Sequence, residues 1–371
     1  MKRIKYLMVV VLAMFLVACG EKDEFTGIRE DARYSKTYQI VSTSKEGVFY
    51  KGTDDMLYFR PAETGEEMIF CYDPNCTHEP ASEYNPDPTC RGALFADKRT
   101  EIAYYEGVIY YFVWDGPFEH ELYRMEVNGA GRTLFATLPY LCEPLGGVVF
   151  YEDKMYYRVV EKKRIDELGT LESKLYIIEI DLVTGDYRLV TDEIEGAMYE
   201  MDVTDKYVYP RLADSNGDLY RVRYDKVSGD KEVLVTPDEY KTHIPLAFYD
   251  EYYIYSNGSD RIGIKYFGSG EKKVLVNIDM EGADFVSTCV SGNGVFYRVL
   301  DFSDDFTSET LLGAYFYNIL TGELFDITEK TLELNIWDYN GYQEYFICDT
   351  MRDTYVVDAK EVLESGEVVN R

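Results

Sequence analysis

A chain of 371 residues with 46% apolar content has the material for a packed core, which excludes wholesale disorder. Its 38 basic and 68 acidic residues leave a formal net charge of −30, which excludes a nucleic-acid binder built on a basic footprint. Thirty-six tyrosines against three histidines and two tryptophans favour strands and leave little histidine for catalysis.

The first element is a positive start, Lys2, Arg3 and Lys5, followed by thirteen apolar or small residues at 6–18. Thirteen is too short for a membrane-spanning helix, which needs about 20 residues, and fits the apolar region of a signal peptide. Ala18 before Cys19 resembles the bacterial lipobox, in which the cysteine is lipidated and becomes the mature N-terminus. The alternative is an ordinary secretory peptide with a chance cysteine. Residues 1–19 are therefore expected to be a lipoprotein signal peptide with Cys19 as the lipid attachment site. The protein would sit on the extracytoplasmic side of a bacterial cell membrane. Residues 20–35 are polar and read as a tether.

A repeat of about 50 residues fills 36–371. An aromatic-ended strand recurs at Val48-Phe49-Tyr50, Val108-Ile109-Tyr110, Met155-Tyr156-Tyr157, Tyr207-Val208-Tyr209, Tyr253-Ile254-Tyr255 and Val295-Phe296-Tyr297, and more weakly at Glu344-Tyr345-Phe346. Most units add a second strand such as Leu122-Tyr123-Arg124 or Leu219-Tyr220-Arg221. A glycine turn follows at Thr64-Gly65, Asn128-Gly129, Thr184-Gly185, Ser228-Gly229, Ser269-Gly270, Thr321-Gly322 and Ser365-Gly366, supplying the positive φ a tight hairpin needs. Four short strands per unit predict an all-β fold, a β-propeller of four-stranded antiparallel blades. The count is about seven, with six or eight compatible with strand sharing between the termini. Pro210 is expected to end its strand early. Over residues 38–366 the chain resembles bacterial surface lipoproteins with a TolB-like β-propeller, on the aromatic strand, the Leu-Tyr-Arg strand and the Thr-Gly or Asn-Gly hairpin. That resemblance implies a protein-interaction module and transfers no individual residue.

Two glycine-to-glycine gaps are long, 64 and 56 residues, against 41 to 52 for most. They hold an insertion at 71–90 and a hydrophilic stretch at 161–173, and residues 301–309 form a third long segment. In an up-down blade, the link between strands two and three and the link to the next blade emerge on one face. The glycine hairpins emerge on the other. All the elaborated segments thus share one face, together with Asp115, His120, Asp301, Asp304 and Asp305, and this is the expected binding face.

The densest chemistry lies in the insertion, where Cys71, Cys76, His78 and Cys90 are spaced C-x4-C-x-H-x11-C. Three thiolates and one imidazole suit structural zinc. A disulfide within Cys71, Cys76 and Cys90 is the rival for an extracytoplasmic protein. Cys142, Cys289 and Cys348 are scattered and read as small core residues. Asp214-Ser215-Asn216-Gly217-Asp218 departs from a calcium loop and reads as a strand-connecting turn. No nucleophile elbow, H-E-x-x-H helix or phosphate loop occurs. The expected function is a membrane-anchored module that binds a protein or peptide partner or serves as a scaffold, with no nucleic acid. The alternative is a propeller that binds or cleaves glycans, with Trp114 and Trp337 stacking on sugar rings.

Overall fold

The computed structural model describes residues 34–368 apart from short internal stretches, the longest being 94–99, 115–119, 165–170, 303–308, 334–338 and 359–366. Cys19 and the expected signal segment lie outside the described residues. The fold is a β-propeller whose blades are antiparallel meanders laid out in chain order.

Among the described residues six blades carry the full four strands, which corrects the expected count of about seven. Blade one begins at Val41–Ser44, two at Thr100–Tyr105, three at Val148–Tyr151, four at Ala197–Val203, five at Ile244–Phe248 and six at Phe285–Ser291. The last repeat forms three strands, Tyr339–Tyr342, Tyr345–Thr350 and Asp353–Asp358. Its sheet touches blade six on one side and blade one on the other. The final strand, Glu367–Val368, pairs instead with Leu324–Asp326 at the outer edge of blade six. That diversion is why the seventh glycine repeat does not give a seventh four-stranded blade.

The glycine hairpins form as the sequence requires, with Gly129, Gly185, Gly229, Gly270 and Gly322 all at positive φ. A carboxylate or amide seats three of them. Asp181 Oδ1 accepts from the Val183 and Thr184 N–H groups, Asp225 Oδ1 from Val227 and Ser228, and Asn318 Oδ1 from Leu320 and Thr321. Four of the five hairpins then clasp the turn between strands one and two of their own blade. Leu182 N–H donates to Asp153 O, Lys226 N–H to Lys206 O, Phe267 N–H to Glu251 O and Ile319 N–H to Asn293 O. These bonds place the two kinds of hairpin on one face.

The core lies between blades, because one meander has two apolar faces and cannot cover both itself. Adjacent tyrosines serve opposite neighbours. Tyr157 stacks on Phe112 of blade two at 4.4 Å between ring centroids, while Tyr156 is buried toward blade four with Met198 and Met201. Tyr105 stacks on Phe150 at 4.6 Å, and Phe49 on Tyr104 at 4.9 Å. Much of the tyrosine excess is therefore strand residues that pack between blades.

Two expectations change at strand level. The stretch 161–173 is largely strand: Lys154–Arg164 and Leu171–Asp181 pair along their whole length as one long hairpin. Their outer half is flanked by Leu141–Cys142 and by a bridge from Leu175 to Ile194. Pro210 does not end its strand, which runs Tyr207–Ala213. The ladder to the next strand lapses between Val208↔Tyr224 and Arg211↔Arg221, and the buried Arg221 Nη1 donates to the Tyr209 carbonyl there at 3.0 Å. A side chain thus supplies the donor that the interrupted ladder does not.

Candidate metal centre and the elaborated face

The insertion leaves the short outer strand of blade one, Met68–Ile69, through Phe70. Asp73-Pro74-Asn75-Cys76 then makes a tight turn in which Cys76 N–H donates to Asp73 O at 3.1 Å and Asn75 N–H to Asp73 Oδ1 at 2.9 Å. Asp at the first corner and proline at the second are the residues such a turn favours. The turn swings Cys76 back toward Cys71. His78 follows at φ 54°, a left-handed conformation that costs a non-glycine residue about 1 kcal/mol. Further on, Cys90 is anchored in a small core with Met56 and Ala93, flanked by Ile69 and Tyr58. Gly92 is required behind it, since a Cβ there would lie 2.8 Å from the Phe70 carbonyl oxygen.

The turn, the left-handed His78 and the anchored Cys90 together gather Cys71, Cys76, His78 and Cys90 so that one ligand atom from each lies within 4.8 Å of all the others. The Cys90 Sγ to His78 Nδ1 distance is 3.6 Å. A tetrahedron with metal–sulfur bonds of about 2.3 Å and metal–nitrogen bonds of about 2.0 Å has sulfur–nitrogen edges of about 3.5 Å. Cys71, Cys76, Cys90 and Cys289 are not joined in disulfides among the described residues. Burial pushes the Cys90 thiol up to about 12, and the Gly92 N–H pulls the other way. The His78 N–H donates to Cys76 Sγ at 3.4 Å. A metal takes the thiolate form of cysteine, and its charge would offset the burial that holds Cys90 as a thiol. The four residues fit a closed metal site.

The insertion sits on the face expected for it. Met56, in the link between strands two and three of blade one, bridges to Ala93, and Leu57 N–H donates to Gly92 O. The long hairpin of blade three and its counterpart in blade six, Gly294–Phe302 with Glu309–Asn318, project on that same side. Of the expected face residues, Asp301 is half-buried near the end of its strand, and Asp115, Asp304 and Asp305 lie outside the described residues. His120 sits beneath that face: it is fully buried at the start of its strand, opposite Trp114. Burial, and then the Lys162 charge, lower its pKa to about 4. Trp337 lies outside the described residues. Asp214 closes its own turn, accepting from Asn216 N–H at 2.8 Å and Asp218 N–H at 3.0 Å, which accounts for that acidic loop without a cation.

A feature that sequence reading missed lies between blades four and five. A cavity of about 310 Å³ is lined by Lys241, Thr242, His243, Tyr255, Asn257 and Arg261. His243 is held from both sides, by Thr242 Oγ1 at 2.9 Å and by Lys272 Nζ at 3.0 Å, and burial lowers its pKa. The only signal in the sequence was a run of Lys241, Thr242 and His243 after a short helix, Pro237–Tyr240.

Fold and site together define a β-propeller bearing a Cys3His cluster on one face. No family model matches the chain, and no curated protein matches it. Solved structures do. A puromycin-hydrolysing peptidase of Mycobacterium tuberculosis aligns at TM-score 0.52 and 11% identity over 91% of this chain and 54% of its own. An oligogalacturonate lyase of Vibrio parahaemolyticus gives 0.48 and 10% over 90% and 92%. TolB from Acinetobacter baumannii gives 0.36 and 12% over 85% and 66%. At these identities the likeness concerns the propeller fold.

Proposed function

We propose that this chain is a lipid-anchored, extracytoplasmic β-propeller that binds a protein or peptide partner on its elaborated face. In this reading Cys71, Cys76, His78 and Cys90 hold a structural zinc that orders the insertion at 71–90 on that face. The observation that supports it is the asymmetry of the disc. One side consists of short, self-capped hairpins, and the other carries the insertion and two hairpins with strands of nine to eleven residues. Loops that exceed what a repeat needs for folding are where propellers place recognition. Zinc would hold an insertion that has few ladder bonds of its own.

The test is co-purification from detergent-solubilised membranes, comparing the wild type with a chain whose residues 165–170 are replaced by a two-residue turn. The reading expects a stoichiometric partner with the wild type and its loss with the shortened hairpin. A partner retained equally by both contradicts it. The glycan reading draws on a different observation, the cavity beside Tyr255, where Asn257 and Arg261 offer side-chain donors to a hydroxylated or acidic sugar. A glycan array showing a ligand that Arg261→Ala abolishes and the shortened hairpin leaves intact would favour that reading.

A further inference from the structure

Tyr34–Thr37 forms a strand on the axial side of blade three, paired antiparallel with its innermost strand. Tyr34 lies opposite Tyr151 and Thr37 opposite Val148. Tyr151 adjoins the turn at Glu152 and Asp153, which is clasped to the glycine hairpin at Leu182. Val148 is at the other end, where the link from blade two arrives. The strand therefore runs from the hairpin face to the elaborated face. Chain continuity demands the same direction. Only residues 38–40 separate Thr37 from Val41, and blade one's first strand then pairs back through Ser44↔Gly47 toward the hairpin face. The strand also lies against the first strands of blades one and two, which places it at the axis.

A second observation concerns the hairpin face itself. Its glycine hairpins carry exposed aliphatic residues at their tips: Val127, Val183, Val227 and Leu320 are 38%, 72%, 95% and 43% exposed. They belong to blades two, three, four and six, so they are spread around the disc.

We propose that the N-terminal segment leaves the disc on the hairpin face, so that this face lies against the bilayer and the elaborated face, with its Cys3His cluster, is presented outward. The membrane half of the proposal rests on Cys19 being lipidated, and the exit direction does not. The reach of the chain favours this orientation. Fourteen residues lie between Cys19 and Tyr34, so fifteen steps span at most about 54 Å when fully extended. Turning the disc over would take the segment from the axis across a blade about 20 Å wide and then along strands of up to about 36 Å. That path uses up the whole of the extended reach, whereas exit on the hairpin face uses none of it. The aliphatic tips then meet the headgroup region, and the partner approaches from the opposite side.

The test uses the full-length lipidated protein in phosphatidylcholine–phosphatidylglycerol vesicles, with benzoylphenylalanine at Val183 or Val227 on one face and at Asn216 or Ser259 on the other. Lipid adducts from the first pair and none from the second are expected. Adducts from Asn216 or Ser259, or from neither pair while the protein stays on the vesicles, overturn the orientation. A second arm uses soluble Cys19→Ala protein with benzoylphenylalanine at position 34. Crosslinks mapping to the turns at 105–108 and 151–154 support the exit direction, and crosslinks mapping to 143–147 overturn it. If the second arm succeeds while the wild type fails to stay on vesicles, the lipid-anchor reading has failed and the exit direction has not.

Discussion

Arg221 shows how one residue answers for another in this chain. Pro210 sits in a central strand where the ladder lapses, and the Arg221 guanidinium, almost wholly buried, donates to the Tyr209 carbonyl and to Glu200 Oε1 at 2.6 Å. Its charge also lies 5.1 Å from the centre of the Phe248 ring in the next blade. Arg221→Met keeps the volume and removes every donor, leaving the Tyr209 carbonyl without its side-chain donor and Glu200 with Arg211 in place of the closer Arg221. It should cost about 3 kcal/mol, read as a lower denaturant midpoint. Two other residues contribute to the acid limb of stability. His120 has its folded pKa lowered to about 4, so below about pH 6.5 the unfolded chain takes up a proton that the folded one refuses. Stability is therefore expected to fall as pH drops from about 6.5 toward 4. Asp181 is held at about 2 by Lys154 and by the Thr184 and Val183 N–H groups, so its contribution is present above about pH 4 and lost as pH falls toward 2. Thermal melts across this range should show His120→Gln flattening the first segment and Asp181→Asn the second.

At the scale of elements, the hairpins were legible in the sequence and their carboxylate seats were not. The Thr-Gly and Ser-Gly turns announce positive φ directly. The Asp or Asn three residues before Thr184, Ser228 and Thr321 was visible too, but in a chain with 68 acidic residues an aspartate carries no signal until its N–H donors are seen. Gly185→Ala must place a side chain at φ 80° and a Cβ 2.8 Å from the Phe135 carbonyl. A loss of about 1–3 kcal/mol is expected, whereas the same change at Gly217, whose Cβ would meet nothing, should cost less. Chemical denaturation of the two variants compares them. Only the outer part of the long hairpin, within 161–173, reads as loop in the sequence, because Glu161, Lys162, Lys163 and Arg164 lack apolar alternation. A projecting ribbon has no buried face to impose it. The helix Pro237–Tyr240 carries its own signal in Thr236-Pro237-Asp238-Glu239, with Thr236 accepting from Glu239 N–H, and only its four-residue length hid it.

For the whole molecule, the repeat period fixes the propeller and the strand parity fixes which loops share a face, because both follow from local pattern. Blade number does not. It depends on where the last strand goes, and Glu367–Val368 goes to blade six. The Cys3His grouping was readable as ligand types and count, while its closure rests on a turn at Asp73, a left-handed His78 and a glycine at 92 that no spacing rule contains. The central claim is that this cluster is a metal centre holding the insertion on the outward face. Its most direct test is elemental mass spectrometry, with thiol counting, on protein purified without oxygen or chelator. One zinc per chain is expected, absent in Cys90→Ser, with Cys71, Cys76 and Cys90 resisting alkylation until a chelator is added or the pH is lowered so that protons displace the metal. Less than about a tenth of a zinc per chain, with a disulfide joining two of these cysteines, would contradict it.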